Sequence, residues 1–410
     1  MADEGLGDRF FKLWAARTTS ALGSGLATVA APLLVASRTD DPLLVSAGFG
    51  VAWLPWLLFA LPGGVLVDRV DRRRLMVLID WGRVAVTAAL AIVLAAGYVN
   101  IALLYVVLFL INTGEIVFRA AGTAMIASVV PKARLERANG WLVGGTTLMQ
   151  QMIAGPLGGL LFVVTASLPF FVNAGTYAAS AVLIALVAGS YRAAPDAPQP
   201  PRSVRGDVAE GFRWLMKQRL LRTTAMLIGM LNLTLTAATA VLVLLAKQRL
   251  HLGSVGYGLL FTCIAVGGLI GSVAGDRLVR KVTATWTMRV GLLIEAGMHL
   301  TLAVSRNAYL VGAVLLVFGI HGSTWGIVRS SLSQRLTPHE MLGRVGSTNL
   351  FIAAGGNCVG AMLGGVIASS FGLTAPYWIG FVVAIGVSAV TWRVFDRKTV
   401  AAAYADPVAA

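Results

Sequence analysis

Twelve apolar blocks follow one another along the 410-residue chain. Each is long enough, at about 20 residues or more, for a helix to cross a hydrocarbon core of roughly 30 Å. Inside lipid only a helix or a closed barrel satisfies its own backbone polar groups, and these long uninterrupted blocks fit the helix. The blocks cover residues 11–37, 43–67, 75–98, 101–128, 139–164, 168–191, 223–246, 254–278, 283–305, 309–330, 346–370 and 376–395. The pattern predicts an all-α integral membrane protein with twelve transmembrane helices.

The composition agrees with a lipid-embedded chain. Hydrophobic residues make up 57% of the sequence and charged residues 12%, against roughly 25% charged residues in an average soluble domain. The mean hydropathy is +0.79. No soluble core has room for so much apolar surface, so we expect most of it to face lipid or other helices.

The distribution of lysine and arginine predicts the orientation. With twelve spans both termini lie on one side, and the loops of the opposite side carry only Arg38, Lys247, Arg249 and Arg306. Because basic loops stay in the cytoplasm, we expect a multi-pass protein of the cytoplasmic membrane with both termini cytoplasmic. The first eight residues contain no basic segment, so no removable signal peptide is expected.

The net charge of +15 does not indicate a nucleic-acid partner, because the basic residues are scattered among short loops rather than gathered into one stripe. Cys263 and Cys358 lie inside apolar blocks and predict neither a disulfide nor redox chemistry. The sequence has no phosphate-binding loop, no zinc-binding helix motif and no nucleophile elbow. We therefore expect no catalytic residues, metal, cofactor or direct use of ATP.

A proline-rich and basic stretch divides the chain. We expect an N-terminal six-helix bundle over 1–191, a cytoplasmic linker over 192–222, a C-terminal six-helix bundle over 223–398 and a tail over 399–410. The linker holds an amphipathic basic run at 211–219, which predicts a helix lying on the anionic membrane surface.

The two halves repeat each other's motifs. The segment G-G-V-L-V-D-R at 63–69 follows the second block, and G-S-V-A-G-D-R at 271–277 follows the eighth. A second pattern, P-x3-L-x-R, occurs at 131–137 after the fourth block and at 338–344 after the tenth. Both matches are six helices apart, which predicts two pseudo-symmetric six-helix bundles.

On these motifs the chain resembles the major facilitator superfamily over nearly its whole length. The loop after the second block is similar to that family's signature loop, with Asp71 where glycine is usual. The resemblance implies a gate that locks one conformation through a carboxylate and arginines. It assigns this gating role to Gly64, Asp68, Arg69, Arg72 and Arg73, and to Asp276 and Arg277 in the repeat. The alternative is that Asp68 only ends a helix and the arginines only set topology.

A Gly-Pro motif in the fifth span resembles the antiporter motif of the same family. It comprises Gly155, Pro156 and Gly159, with Leu160 where a final glycine is usual. In the family this motif accompanies export, whereas proline and glycine alone also explain a packing kink. The segments 13–17 and 247–258 are most similar to the branch that holds siderophore and macrolide exporters.

Ionisable residues inside the spans are the candidates for function, because a charge near the bilayer centre costs at least about 2.5–3.5 kcal/mol. Glu115 and Arg119 share a face of the fourth span, and His321, Trp325 and Arg329 share a face of the tenth. In the superfamily the first, fourth, seventh and tenth helices line the central cavity, which implies that these groups face each other. Asn232 and Arg17 are further candidates in the seventh and first spans.

Two other pairs rank lower. Glu295 and His299 lie in the ninth span, which the family places at the periphery, and Asp80 and Arg83 lie near enough to the cytoplasmic end of the third span to reach the headgroups. We expect Glu115 to carry the coupling proton, with Arg119 and substrate competing for its charge; the alternative is a static ion pair.

The sequence therefore predicts a monomeric secondary transporter that exports a small amphipathic compound in exchange for protons by alternating access. An importer or lysolipid-type flippase of the same fold is the alternative, followed by a membrane-embedded enzyme that modifies lipids.

Overall fold

The computed structural model describes residues 6–98, 100–191, 204–338 and 341–395, and this part of the chain contains helices and no β-strand. The α-helices are α1 (Asp8–Ala36), α2 (Pro42–Arg69), α3 (Arg72–Ala95), α4 (Ile101–Val129), α5 (Leu135–Thr147), α6 (Ala154–Val164), α7 (Leu168–Ala185), α8 (Val204–Lys217), α9 (Arg219–Ala240), α10 (Leu242–Gln248), α11 (Ser254–Val282), α12 (Ala284–Val304), α13 (Ala308–Leu336), α14 (Leu342–Phe371) and α15 (Ala375–Thr391). A π-helical segment, Leu148–Ile153, joins α5 to α6.

Eleven helical segments among the described residues are long and apolar enough to span a membrane, with Leu135–Val164 counted as one of them. The twelfth apolar helix, α15, is shorter at 17 residues. Large apolar side chains stay exposed on these helices, including Val273 at 74% and Val390 at 77%. Such exposure suits a surface covered by lipid, and the prediction of an all-helical membrane protein is confirmed.

The chain forms two compact units. The first comprises α1, α2 from Val51 onwards, α3 to α7 and the start of α11 up to Thr262. The second comprises the start of α2 up to Gly50, α8 to α10, the rest of α11 and α12 to α15. Helices α2 and α11 are thus divided between the units. The domain boundaries expected from the sequence stay a prediction.

The first unit is built around α3 and α7. Helix α7 packs against both α1 and α3, and α3 packs against α4. Their inner faces bury a cluster that includes Phe10, Met76, Met125 and Ile184. These contacts bring α1, α3, α4 and α7 together, and the ionisable candidates of this unit lie on three of these helices, α1, α3 and α4.

The second unit has corresponding pairs. Helix α12 packs against α13 and α15, as α3 packs against α4 and α7, and α15 packs against α9, as α7 packs against α1. Helix α14 also packs along α9. Met288, Val328 and Phe395 are fully buried in one of its clusters.

Helix α8 contains most of the amphipathic run and packs against α14. Leu215 is buried there, and Gly211 lies directly against the backbone of Arg344. Part of its apolar face therefore packs against protein, and Gly211 permits this contact because it has no side chain to hold the two helices apart. That the helix lies on the membrane surface stays a prediction.

Asp71 begins α3 by capping its N-terminus. One carboxylate oxygen accepts the backbone N–H of Arg74 at 2.9 Å. The other oxygen accepts the Ser190 hydroxyl at 2.9 Å and the backbone N–H of Tyr191 at 2.8 Å. This residue, which stands where the family has glycine, therefore ties the start of α3 to the segment after α7.

Burial alone would raise the pKa of Asp71, but the hydrogen bonds from Arg74, Tyr191 and Ser190 outweigh it and hold the pKa below its ordinary value. A carboxylate with a lowered folded-state pKa stabilises the fold fully above its unfolded pKa. That stabilisation is lost as the pH falls through the folded pKa.

We expect Asp71→Ala to lower the stability at pH 7 by about 1–2 kcal/mol, because the cap and two further bonds are lost. The measurement is the melting temperature of the protein in detergent. The control is Asp8→Ala, whose exposed carboxylate pairs with Lys12 and should change little. The gap between Asp71→Ala and the parent should shrink on acidification, and a gap independent of pH would contradict the role of the carboxylate.

Candidate functional site

The first unit contains a charged cluster centred on Arg83 of α3. The side chain of Arg83 is 2% exposed, and its guanidinium donates to Glu115 Oε2 at 2.9 Å and to Asp80 Oδ1 at 3.2 Å. Asp80 is completely buried. One guanidinium therefore contacts two carboxylates, and these contacts supply the counter-charge without which a buried cation costs several kcal/mol.

Aromatic rings enclose this guanidinium. Its carbon lies 5.0 Å from the ring centroid of Phe118 and 5.1 Å from that of Tyr177. Electron-rich ring faces attract a cation, so α4 and α7 each supply one such contact. The position of Arg83 is therefore fixed by α3, α4 and α7 together.

Two serines of α1 complete the cluster. Ser24 Oγ donates to Glu115 Oε2 at 3.2 Å and lies 3.2 Å from the hydroxyl of Tyr177. Ser20 Oγ accepts from Arg83 at 3.4 Å. Glu115 therefore links α4 to α1 through Ser24 and to α3 through Arg83.

Glu115 is the accessible member of the cluster. Its side chain is 17% exposed, whereas Asp80 is 0% exposed. Its Oε1 atom lies 3.8 Å from Nε of Arg119, a half-exposed side chain. The guanidinium of Arg119 also lies 5.5 Å from the ring centroid of Trp56 on α2. Glu115 thus stands between a buried cation and a half-exposed one.

Arg17 of α1 belongs to the same region. Its side chain is 7% exposed and lies against Gly122 of α4, two turns after Glu115. The Nη1 atom of Arg17 has no hydrogen-bond partner among the described residues. Gly122 leaves room for this cation, since a Cβ there would crowd it.

The structure corrects the prediction for Asp80 and Arg83. The sequence suggests that both side chains reach the headgroups, whereas both are buried in the unit that α3 forms with α1, α4 and α7. The physical reason is that Glu115, Ser20 and two aromatic rings supply the partners that water would otherwise provide. The i, i+3 spacing of two opposite charges inside an apolar span is the signal that points to this role.

The candidates of the second unit do not form a comparable cluster. His321 lies against Gly291 of α12, and Trp325 packs into the apolar core of its unit, where its Nε1 has no partner in the described part of the chain. Asn232 lies beside Gly356 of α14. That Arg119 and Arg329 face each other across a pathway stays a prediction.

Two arginines of the gating loop bind within the first unit. Arg73 donates to the carbonyl oxygens of Ile184 and Ala185 at the end of α7. Arg72 donates to Ser128 at 3.3 Å. Cations at a helix C-terminus bind its free carbonyls and match its dipole.

The other residues of the gating motif stay without an assigned contact. Arg69 and Arg277 are exposed. The surroundings of Gly64, Asp68 and Asp276 lie outside what the structure describes. The gating role therefore stays a prediction.

The Gly-Pro motif of α6 packs against the start of α11. A Cβ on Gly258 would overlap the carbonyl oxygen of Gly155, and one on Gly159 would overlap that of Ser254. Pro156 has no N–H to donate to the carbonyl of Met152, and Thr262 donates to that oxygen instead, at 3.2 Å. The motif therefore allows close backbone contact within the first unit.

An open cavity of about 590 Å³ lies beside α1 and α5. Its lining consists of Trp14, Arg137, Gly140, Trp141, Gly144, Gly145 and Leu148. None of the charged candidates Glu115, Arg119 and Arg17 belongs to that lining.

The sequence matches the family described as transmembrane secretion effector over residues 6–406. The multidrug efflux pump Tap of Mycobacterium tuberculosis is 27% identical over 92% of this chain and 91% of its own length. The enterobactin exporter EntS of Citrobacter koseri is 26% identical over 87% of this chain and 85% of its own.

Solved structures show the fold. A bacterial homologue of the iron transporter ferroportin, in its inward-facing state, matches with a TM-score of 0.75 and 15% identity, over 95% of this chain and 99% of its own. The nucleoside transporter NupG matches with a TM-score of 0.71 and 11% identity, over 98% of this chain and 100% of its own. The expected major facilitator fold is confirmed. The chain belongs to the transmembrane secretion effector family of the major facilitator superfamily, whose members are multi-pass membrane transporters and not enzymes.

Proposed function

We propose that this protein is a proton-coupled exporter of a small amphipathic compound, such as a drug, an antibiotic or a siderophore. It acts as a monomer in the cytoplasmic membrane, with both termini in the cytoplasm. Its binding site opens alternately to the two sides of the membrane. The observation that carries the proposal is the position of Glu115 between the buried Arg83 and the half-exposed Arg119.

The charges around Glu115 allow it to gain and lose a proton. When Glu115 is protonated, Arg83 keeps Asp80 as its counter-ion, and the buried pair is neutral. When Glu115 is ionised, its second oxygen faces Arg119. In neither state do Asp80, Glu115 and Arg83 leave one of their charges without a partner, so the energetic cost of switching between them is small.

Coupling follows if substrate and proton compete for the same carboxylate. A cationic or hydrogen-bonding substrate that displaces Arg119 from Glu115 stabilises the ionised form, and protonation then weakens the hold on that substrate. Trp56, whose ring lies against Arg119, offers an apolar face to an aromatic substrate. The two related exporters, one a multidrug efflux pump and one an exporter of enterobactin, support this substrate range.

The direction of transport is tested in cells. Cells that express the protein should accumulate less ethidium, tetracycline or enterobactin than cells without it, and a protonophore should abolish the difference because it removes the proton gradient. Accumulation of each compound is measured by fluorescence or by extraction. Higher accumulation in the expressing cells would indicate an importer instead, and translocation of lysolipid alone would indicate a flippase.

The role of Glu115 is tested with Glu115→Gln in liposomes, with ethidium as the substrate of the assay. We expect uphill ethidium transport driven by a pH gradient to fall to the level of liposomes without protein, because the glutamine cannot ionise. Downhill ethidium movement should persist. Glu136→Gln, on the exposed face of α5, is the control and should retain both. Full gradient-driven transport by Glu115→Gln would exclude the proton role.

The role of Arg83 as a fixed counter-ion is tested through stability. We expect Arg83→Met to lower the stability by about 3–5 kcal/mol, because the buried Asp80 loses its counter-ion and Glu115 loses the nearer of its two arginine partners. Adding Asp80→Asn should restore part of the loss. Arg119→Met, which removes a half-exposed cation, serves as the control and should change the melting temperature little. A melting temperature of Arg83→Met equal to that of the parent would contradict the charge balance described above.

A further inference from the structure

A second ionisable pair lies in α12, outside the cluster around Arg83. Glu295 and His299 are four residues apart on one face of the helix and are 5% and 0% exposed. The Nε2 atom of His299 lies 4.0 Å from Oε1 of Glu295. The proposed function makes no use of this pair, and burying it requires an explanation.

The pair is enclosed by α13 and α15. Gly380 of α15 lies against the imidazole, and a Cβ there would overlap Nδ1 of His299. From α13, the ring of His321 lies against Gly291, one turn before Glu295. Protein rather than water therefore surrounds the carboxylate.

No permanent cation balances Glu295 in the described part of the chain, where His299 is its one ion-pair contact. Arg289, on the same helix, donates to the carbonyl of Trp392 at 2.7 Å, and Arg329 of α13 lies two turns beyond His321. Tyr377 of α15 donates to the carbonyl of Ala238 at 3.0 Å. Among the described residues, His299 is therefore the group placed to balance the charge of an ionised Glu295.

Three polar atoms of the pair have no hydrogen-bond partner among the described residues: Oε1 of Glu295 and both ring nitrogens of His299. A buried carboxylate beside a neutral imidazole would be an uncompensated charge, which costs several kcal/mol. One added proton removes that charge, whether it resides on the carboxyl or on the ring. Because Nε2 of His299 and Oε1 of Glu295 lie 4.0 Å apart, the charge of each group affects the other, and the proton is assigned to the pair rather than to one residue.

We propose that Glu295 and His299 form a second proton-binding site, which takes up and releases one proton as a unit during transport. The coupling to transport rests on the proposed function, whereas proton binding by the pair does not. The two sites differ in charge: Glu115 has a permanent cation, Arg83, beside it, while the pair in α12 is neutral only with its proton bound.

Infrared difference spectroscopy of the purified protein in liposomes tests proton binding. We expect a carbonyl band of a protonated carboxylic acid that changes with pH, is absent in Glu295→Gln, and has a different titration midpoint in His299→Gln. Glu136→Gln and Glu115→Gln should both keep this band, so the result is independent of the role of Glu115. Absence of any band assigned to Glu295, or a band unchanged at every pH, would overturn the proposal.

A second variant separates proton binding from packing. Gly380→Ala leaves both ionisable groups in place but displaces the imidazole, so we expect it to shift the midpoint of the Glu295 band. A melting temperature confirms that each variant is folded. A midpoint identical to that of the parent would contradict the contact between the two residues as a working pair.

The coupling of proton movement to ethidium transport is measured as the ethidium gradient that a given pH gradient sustains in liposomes. Glu295→Gln removes one exchangeable proton, and we expect the sustained ethidium gradient to become less steep in its dependence on the pH gradient. Glu136→Gln again serves as the control. An unchanged dependence, together with a pH-sensitive band, would show a proton site that takes no part in transport and would overturn the second half of the proposal.

Discussion

Backbone polar groups that lipid deprives of water must find their partners inside the protein, and this constraint decides the architecture of the chain. It explains why the apolar blocks become helices and why interruptions of those helices are rare and specific. The junction between α5 and α6 is such an interruption: a π-helical segment precedes Pro156, and the freed carbonyl of Met152 is bonded by Thr262. An irregular turn is tolerated there because a hydroxyl from α11 replaces the missing N–H.

The lack of water inside lipid constrains charged side chains even more strongly than backbone polar groups. In the first unit a permanent cation, Arg83, is surrounded by two carboxylates, one serine and two aromatic rings. In the second unit the buried Glu295 has an imidazole as its one ion-pair contact among the described residues. The first arrangement offers a fixed counter-ion to an ionised acid, and the second does not. The two units therefore solve the problem of a buried carboxylate by different chemistry, on the third and ninth spans.

Much of the fold follows from the sequence because span length and apolar composition are local properties. The starts of α3, α4 and α13 coincide with predicted block starts within about three residues. The candidate site was only partly predictable. The spacing of four residues on one helix predicts that Glu115 and Arg119 act together. The main partner of Glu115 comes from α3, however, and no local pattern reveals which face of α3 meets α4. The importance of Asp71 also depends on a distant segment, since Ser190 and Tyr191 follow α7.

Arg73 binds the last carbonyls of α7, and Arg289 binds the carbonyl of Trp392 at the end of α15 while lying against two indole rings. Arg73 belongs to the signature loop. Arg289 lies further along α12, outside the repeated loop, so the two arginines do not align when the motifs of the two halves are matched. In each half an arginine therefore binds the carbonyl end of another helix, but the two arginines occupy different positions in the sequence. A sequence alignment of the two halves would therefore not match Arg289 with Arg73. Any reconstruction of a single-bundle precursor should instead compare the helix C-terminus whose carbonyls each arginine binds.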